Sequence, residues 1–213
     1  MIKHHPTPET LLAHAAGTLP AGHALVVAAH VQGCAACQVE LARLEALGGA
    51  LLEELAPEAL APEAFAETLA RLDSPAPITV RQMPRQADLA LPEGLRLPAA
   101  LRGAEIGRWL WVGRGVRYSR VRLPWAPGGN VMLMRIAPNR RVLAHSHGGA
   151  EFTQVLHGTF TDATGQYGPG DMAEADSDLA HQPRADGDGC ICLAALEGGM
   201  RLPWLSRLVG GHA

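Results

Sequence analysis

The chain has 213 residues, 47% of them hydrophobic and 18% charged, with a formal net charge of -3. That apolar share is enough to bury a core and excludes wholesale disorder, and the mild acidity argues against a nucleic-acid binder that works by charge. The length allows one large domain or two small ones. No apolar run reaches the about 20 residues that span a bilayer, and the opening MIKHHPTPET lacks the basic-then-apolar layout of a signal peptide, so a cytoplasmic protein is expected.

The first 73 residues read as four short helices. Thr7 followed by Pro8 is a good helix start, a capping hydroxyl and then a proline whose missing N–H is not needed there. Leu11, Leu12 and Ala15 give that helix an apolar face, and Gly17 is its stop. A second apolar stretch, Ala21 to Val31, ends at Gly33. A third runs from about Ala35 to Leu55, where Leu44, Leu47, Leu51 and Leu55 recur at helical period before Pro57. Pro62 opens a fourth, with Phe65, Leu69 and Leu72 on one side. A unit this small has a thin core of its own. Its surplus apolar stripe, Phe65, Leu69 and Leu72, is either core or a partner-binding face. Glu53, Glu54, Glu58, Glu63 and Glu67 read as a solvated face.

Residues 74–101 carry Pro75, Pro77, Pro84, Pro92 and Pro98 without sustained periodicity, a semi-extended linker. After Arg102 the period becomes two. Val116 to Leu123 alternates, and 130–137, 152–156 and 190–195 read as strands separated by glycine-rich turns such as Gly168-Pro169-Gly170-Asp171. Many short strands with regular turns predict a sandwich or small barrel. Trp109, Trp111, Trp125 and Trp204 are expected in its core and rim. The fold class is therefore α+β in two domains, a helical bundle over 1–73 and an all-β sandwich or barrel over 102–213.

Ten histidines and four cysteines in two pairs point to metal or redox chemistry in a reducing compartment. His30, Cys34 and Cys37 form H-x3-C-x2-C. The C-x2-C unit at a helix start lets two thiolates reach one ion, and His30 ends the preceding helix. Zinc prefers four tetrahedral ligands, and of His4 and His5 just before the first helix, His5 is the better fourth. Such a set would be closed and structural.

His145, His147 and Glu151 form H-x-H-x3-E. Histidines at i and i+2 of a strand face the same way, and the Gly148-Gly149 turn lets Glu151 join them. His181, from a later strand, is the best fourth ligand. His157 competes but sits in a probable turn. Three imidazoles and a carboxylate suit Zn, Mn, Fe, Ni or Cu, with a position left open. Cys190 and Cys192, at i and i+2 of a strand, are two small core residues or, on the sharper reading, oxidisable groups near that metal.

The H-x-H-x3-E-x6-G run ending at Gly158 resembles the first cupin motif. The second motif is partial: the Gly168–Asp171 turn is similar, but His181 lies further downstream than is common. With the helical H-x3-C-x2-C segment ahead of it, nearly the whole chain resembles the ChrR-type zinc-binding anti-sigma factors, in the runs HHPTPETLLAHAAGTLP, VVAAHVQGCAAC, AHSHGGAEFTQVLHG and CICLAA.

That resemblance implies a cupin barrel over 102–213, and helices that clasp a group IV (extracytoplasmic-function) sigma factor in a 1:1 complex. It implies zinc on His5, His30, Cys34 and Cys37, and a cupin metal (zinc, manganese, iron or nickel) on His145, His147, Glu151 and His181. It also implies release of the sigma factor, and so transcriptional control, on singlet oxygen or a related oxidant, with no direct nucleic-acid or membrane contact. The rival reading is a metal-dependent cupin enzyme, a dioxygenase or isomerase.

Overall fold

The computed structural model describes residues 1–73 and 87–201. Four helices come first: α1 (Pro8–Ala15), α2 (Ala21–Gly33), α3 (Ala35–Glu53) and α4 (Ala64–Asp73). Thr7 caps α1, its side chain accepting from the Thr10 amide at 3.2 Å. Gly17 leaves that helix at φ +68, the left-handed conformation that glycine adopts without cost.

Ten strands follow: β1 (Glu105–Ile106), β2 (Leu110–Gly113), β3 (Val116–Arg122), β4 (Val131–Ile136), β5 (Ser146–His147), β6 (Glu151–Thr161), β7 (Gln166–Tyr167), β8 (Met172–Ala175), β9 (Arg184–Leu196) and β10 (Met200–Arg201). The main sheet is antiparallel and runs β1-β3-β4-β9-β6-β7, with β2 on β3 and β8 on β6. β5 pairs separately with β10. Along this path the sheet does not close on itself.

Helix α2 explains how the two parts meet. It is apolar on every side, and Gly22, His23, Leu25, Val26, Val27, Ala29, His30 and Val31 are all buried. A helix of that kind has to lie inside a core. One cluster joins Leu11, Leu25, Val26 and Val27 to Val121, Leu133, Phe152, Met172 and Leu193 of the sheet. The period of two supplies the matching surface. Val131 and Leu133 of β4, and Leu193 and Ala195 of β9, belong to the cluster under the helices. Alternate residues such as Met134 and Cys192 pack into a second cluster with Ile136, Val142 and Phe160.

Two expectations need correcting. The helices are not an evenly packed bundle. In α3 only Cys37 is buried, and Phe65 to Leu72 of α4 are exposed throughout, because α2 spends its apolar surface on the sheet. Trp111 is not core either: it is 66% exposed, with the Arg117 guanidinium 4.0 Å above its ring. Trp125 is 48% exposed, and Trp109 is half-buried, donating to the Leu89 carbonyl at 2.7 Å. Trp204 lies outside the described residues, as do residues 74–86 of the proline-rich stretch. The rest of that stretch is packed: Leu89 and Leu101 are buried, and the Ala99 amide donates to Gln32 of α2 at 2.9 Å.

β6 runs through the expected turn at His157, which pairs with Ile191 inside the strand. Register shifts on either side of Gly158 absorb the bend. Gly158 has φ +69, and a Cβ there would sit 1.9 Å from the Gly189 carbonyl oxygen. Gly158→Ala is therefore expected to cost about 3 kcal/mol or more, read as a lower denaturation midpoint. An unchanged midpoint would contradict this account of the bulge.

Candidate metal centres

The His/Cys set forms where the segment before α1 meets the α2–α3 corner. Cys34 separates the two helices, capping the end of α2 and the start of α3. Cys37 lies in the first turn of α3 and His30 in the last turn of α2. The ligand atoms of His5, His30, Cys34 and Cys37 lie within 4.8 Å of one another. His30 Nε2 is 3.3 Å from Cys37 Sγ, and His5 Nδ1 is 3.3 Å from Cys34 Sγ and 3.4 Å from Cys37 Sγ. His5 is exposed and the other three are buried. His4 is engaged elsewhere, 3.3 Å from the Asp171 carboxylate and packed on the Tyr167 ring.

Two thiols and two imidazoles at this separation match a tetrahedral N2S2 zinc site. The electrostatics agree. Burial and the neighbouring Cys34 push the Cys37 thiol up to about 12, so a cation is what would stabilise its thiolate. His30 is shifted down, chiefly by burial, which keeps it a neutral ligand. Its Nδ1 lies 2.8 Å from the Gly170 carbonyl. Donating there leaves the Nε2 lone pair facing Cys37.

The second set lies at one end of the main sheet. β5 and the bridge His145–His181 bring the histidines together, and Glu151 opens β6. His181 Nε2 is 3.1 Å from both His147 Nε2 and His145 Nε2. Glu151 Oε2 lies 2.5, 3.5 and 3.9 Å from the Nε2 atoms of His147, His181 and His145. That oxygen is buried yet has no aligned hydrogen-bond donor among the described residues. Three imidazole nitrogens and a carboxylate oxygen aimed at one point are the donor set of a divalent cation.

The outer contacts orient this set. Leu143 O, 2.6 Å from His145 Nδ1, and Asp162 Oδ2, 3.2 Å from His181 Nδ1, are placed to take those protons. Thr153 donates to Glu151 Oε1 at 3.0 Å. Burial works against ionised Glu151, but the histidines outweigh it and hold the carboxyl well below its ordinary range. Burial also opposes protonated His181, yet Asp162 and Glu151 raise it to about 9. The enclosed space is small, about 40 Å³, against the several hundred Å³, about 300 or more, of an ordinary small-molecule site. A larger groove of about 540 Å³ opens beside it, lined by Met132, Met134 and Val142 but by none of the four candidate ligands.

Cys190 and Cys192 lie side by side on β9, both buried, with Sγ atoms 3.2 Å apart. Cys192 lines the small cavity with Glu151. The Cys190 contact and burial push its thiol well up, so at rest it is a protonated thiol rather than a reactive thiolate. Phe65, Leu69 and Leu72 form an exposed stripe on α4, at 75%, 46% and 76% exposure.

Asp162 and His23 did not stand out in the sequence, and Asp171 stood out only as part of a turn. Asp162 reads as an ordinary turn residue beside Thr164 and Gly165, and only the pairing of β6 with β9 brings it under His181. His23 Nε2 lies 3.1 Å from the Ala150 carbonyl and its ring packs edge-on against Phe152, so α2 touches the residues on both sides of Glu151.

Residues 102–198 match the family described as the ChrR cupin-like domain. The chain is 39% identical to the anti-sigma-E factor ChrR of Cereibacter sphaeroides, over 98% of this chain and 96% of that protein. Among solved structures it is similar to one described as Rhodobacter sphaeroides SigE in complex with the anti-sigma ChrR. There the match has 36% identity and a TM-score of 0.72, and covers 92% of this chain and 100% of the matched one.

The raised pKa of His181 sets a pH dependence. Below about 9 the metal-free imidazole carries a proton that an incoming cation must displace. Affinity of the His/Glu set is therefore expected to rise by about tenfold per pH unit between 7 and 9 from this proton alone, with proton release seen by calorimetry in two buffers. Asp162→Asn should still weaken binding at pH 9, by about tenfold or more. A pH-independent affinity across that range would overturn the assignment of His181.

Proposed function

The chain belongs to the family of ChrR anti-sigma factors, and on that premise we propose that it binds and inhibits a group IV sigma factor in a 1:1 complex. It frees that factor for transcription on an oxidative signal, singlet oxygen or a related oxidant. The observation that carries this reading is the full-length likeness, which spans the helices and the sheet together. A regulator, not an enzyme, follows from it.

In this reading residues 1–73 are the sigma-binding domain, 74–101 a linker and 102–213 a cupin barrel that senses the signal in the cytoplasm. Among the described residues no single helix is long and apolar enough to cross a membrane. The exposed stripe Phe65, Leu69 and Leu72, with Leu47, Leu51 and Leu52 exposed on α3, is the kind of surface that a partner completes. His5, His30, Cys34 and Cys37 would hold zinc, which would tie the start of the chain to the α2–α3 corner. His145, His147, Glu151 and His181 would hold zinc, manganese, iron or nickel. A metal there would supply a Lewis-acidic centre or, with manganese, iron or nickel, a redox-active one.

The protein's own part is to link that set to the helices. His23 contacts Ala150 and Phe152 on either side of Glu151, and His30 lies seven residues on along the same buried helix, two turns away. A change at Glu151, or oxidation of the adjoining Cys190 and Cys192, would thus be felt at the end of α2.

Co-expression of the full chain with a sigma factor tests the proposal. A stable one-to-one complex is expected by light scattering. Joint substitution Phe65→Asp, Leu69→Asp and Leu72→Asp should weaken it about 30-fold or more, as loss of an interface hot spot does, with metal content unchanged. His147→Ala with Glu151→Gln should retain binding and lose oxidant-driven release. Capture of no sigma factor, together with turnover of a small molecule, would support the enzyme reading instead.

A further inference from the structure

The turn between β7 and β8 does more than reverse the chain. Asp171, buried at 4% exposure, accepts the amides of Lys3 at 2.6 Å and His4 at 3.0 Å on Oδ1. Its Oδ2 accepts the Gly168 amide at 2.9 Å and lies 3.3 Å from His4 Nδ1. Next to it, the Gly170 carbonyl faces His30 Nδ1 at 2.8 Å, and the Met172 amide donates to the His4 carbonyl at 3.1 Å. Three consecutive residues, Gly170 and Asp171 of the turn and Met172 of β8, therefore grip the backbone beside His5 and the ring of His30.

We propose that the Gly168–Asp171 turn is the outer sphere of the His/Cys centre, with Asp171 as its positioning residue. The α2–α3 corner supplies the two thiols and His30, and the turn holds the His30 ring and the backbone just before His5. The inference rests on reading His5, His30, Cys34 and Cys37 as metal ligands. Its physical basis is that a ligand ring gains affinity when its other nitrogen or its backbone is held in place beforehand. His5 is exposed and gets little positioning from packing, so its place depends on the two amides that Asp171 accepts just before it. β8, which leaves the turn, pairs with β6 at Glu151–Ala175, and Glu174 of β8 accepts from the Thr7 amide at 2.9 Å and the Thr10 hydroxyl at 3.0 Å. One strand thus connects the imidazoles of one centre to the carboxylate of the other.

The test is cobalt(II) titration of the full-length chain against a competing chelator, followed by thiolate-to-metal charge-transfer absorption. Only the His/Cys set has sulfur ligands, so the band reports that centre alone. Asp171→Asn is expected to weaken cobalt there by about tenfold or more. Asp171→Ser, shorter and with a single oxygen, should lose at least as much and serves if the Asn chain does not fold. Asp186→Asn is the control, since Asp186 is also a hydrogen-bonded turn carboxylate, accepting from Thr159 and Gln166. It should leave the band's affinity unchanged whatever it does to the thermal midpoint. An Asp171→Asn affinity equal to wild type, or a loss matched by Asp186→Asn, overturns the inference while leaving the ligand assignment in place. Absence of the band in the wild-type chain overturns both.

Discussion

Helix α2 has no polar face, and the rest of the structure is arranged to bury it. A helix that is apolar all round has no stable place at the surface. The short helices around it cannot cover it: α1 has eight residues, and beyond Cys37 α3 adds only the partly buried Leu41 and Leu44 to the core. The sheet takes it instead, through Val131, Leu133, Leu193 and Ala195. Once α2 lies there, its two buried histidines are committed. His23 faces the residues around Glu151, and His30 faces the Gly168–Asp171 turn. The geometry of both candidate centres therefore follows from a packing requirement before any metal is considered.

Both centres gather groups that would repel or stay unpaired without a cation. In one, two thiols share space with two imidazoles, and burial holds the Cys37 proton on. In the other, imidazole nitrogens stand 3.1 Å apart around a buried carboxylate oxygen that lacks an aligned donor among the described residues. The difference between them lies in their walls. The first is enclosed by helix ends and a turn. The second adjoins a small cavity that Cys192 also lines, with Cys190 beside it on β9.

The local chemistry was legible because it is carried by short spacing. H-x3-C-x2-C at a helix corner, and H-x-H-x3-E at a strand and turn, bring donors together through geometry spanning a few residues. The helix ends at Thr7, Gly17 and Gly33 were legible for the same reason. His181 was harder, since it is 30 residues from Glu151 in sequence and reaches it only through the bridge to His145. His157 was misplaced in a turn because a bulge at a positive-φ glycine looks in sequence like the end of a strand. Trp111 was expected in the core or rim, and it is exposed because its strand, β2, pairs only with β3 at the margin of the sheet.

The sequence by itself determined the element types, the switch from helical to strand period and the two donor sets, because each depends on neighbours within about a turn of helix or a hairpin. Tertiary structure alone decided that the helices and the sheet share one core, and that Asp162, Asp171, Gly170 and His23 stand behind the ligands. The physical reason is distance along the chain. Asp171 meets Lys3 across 168 residues and His23 meets Ala150 across 127, and no local spacing encodes a contact that exists only once α2 is buried.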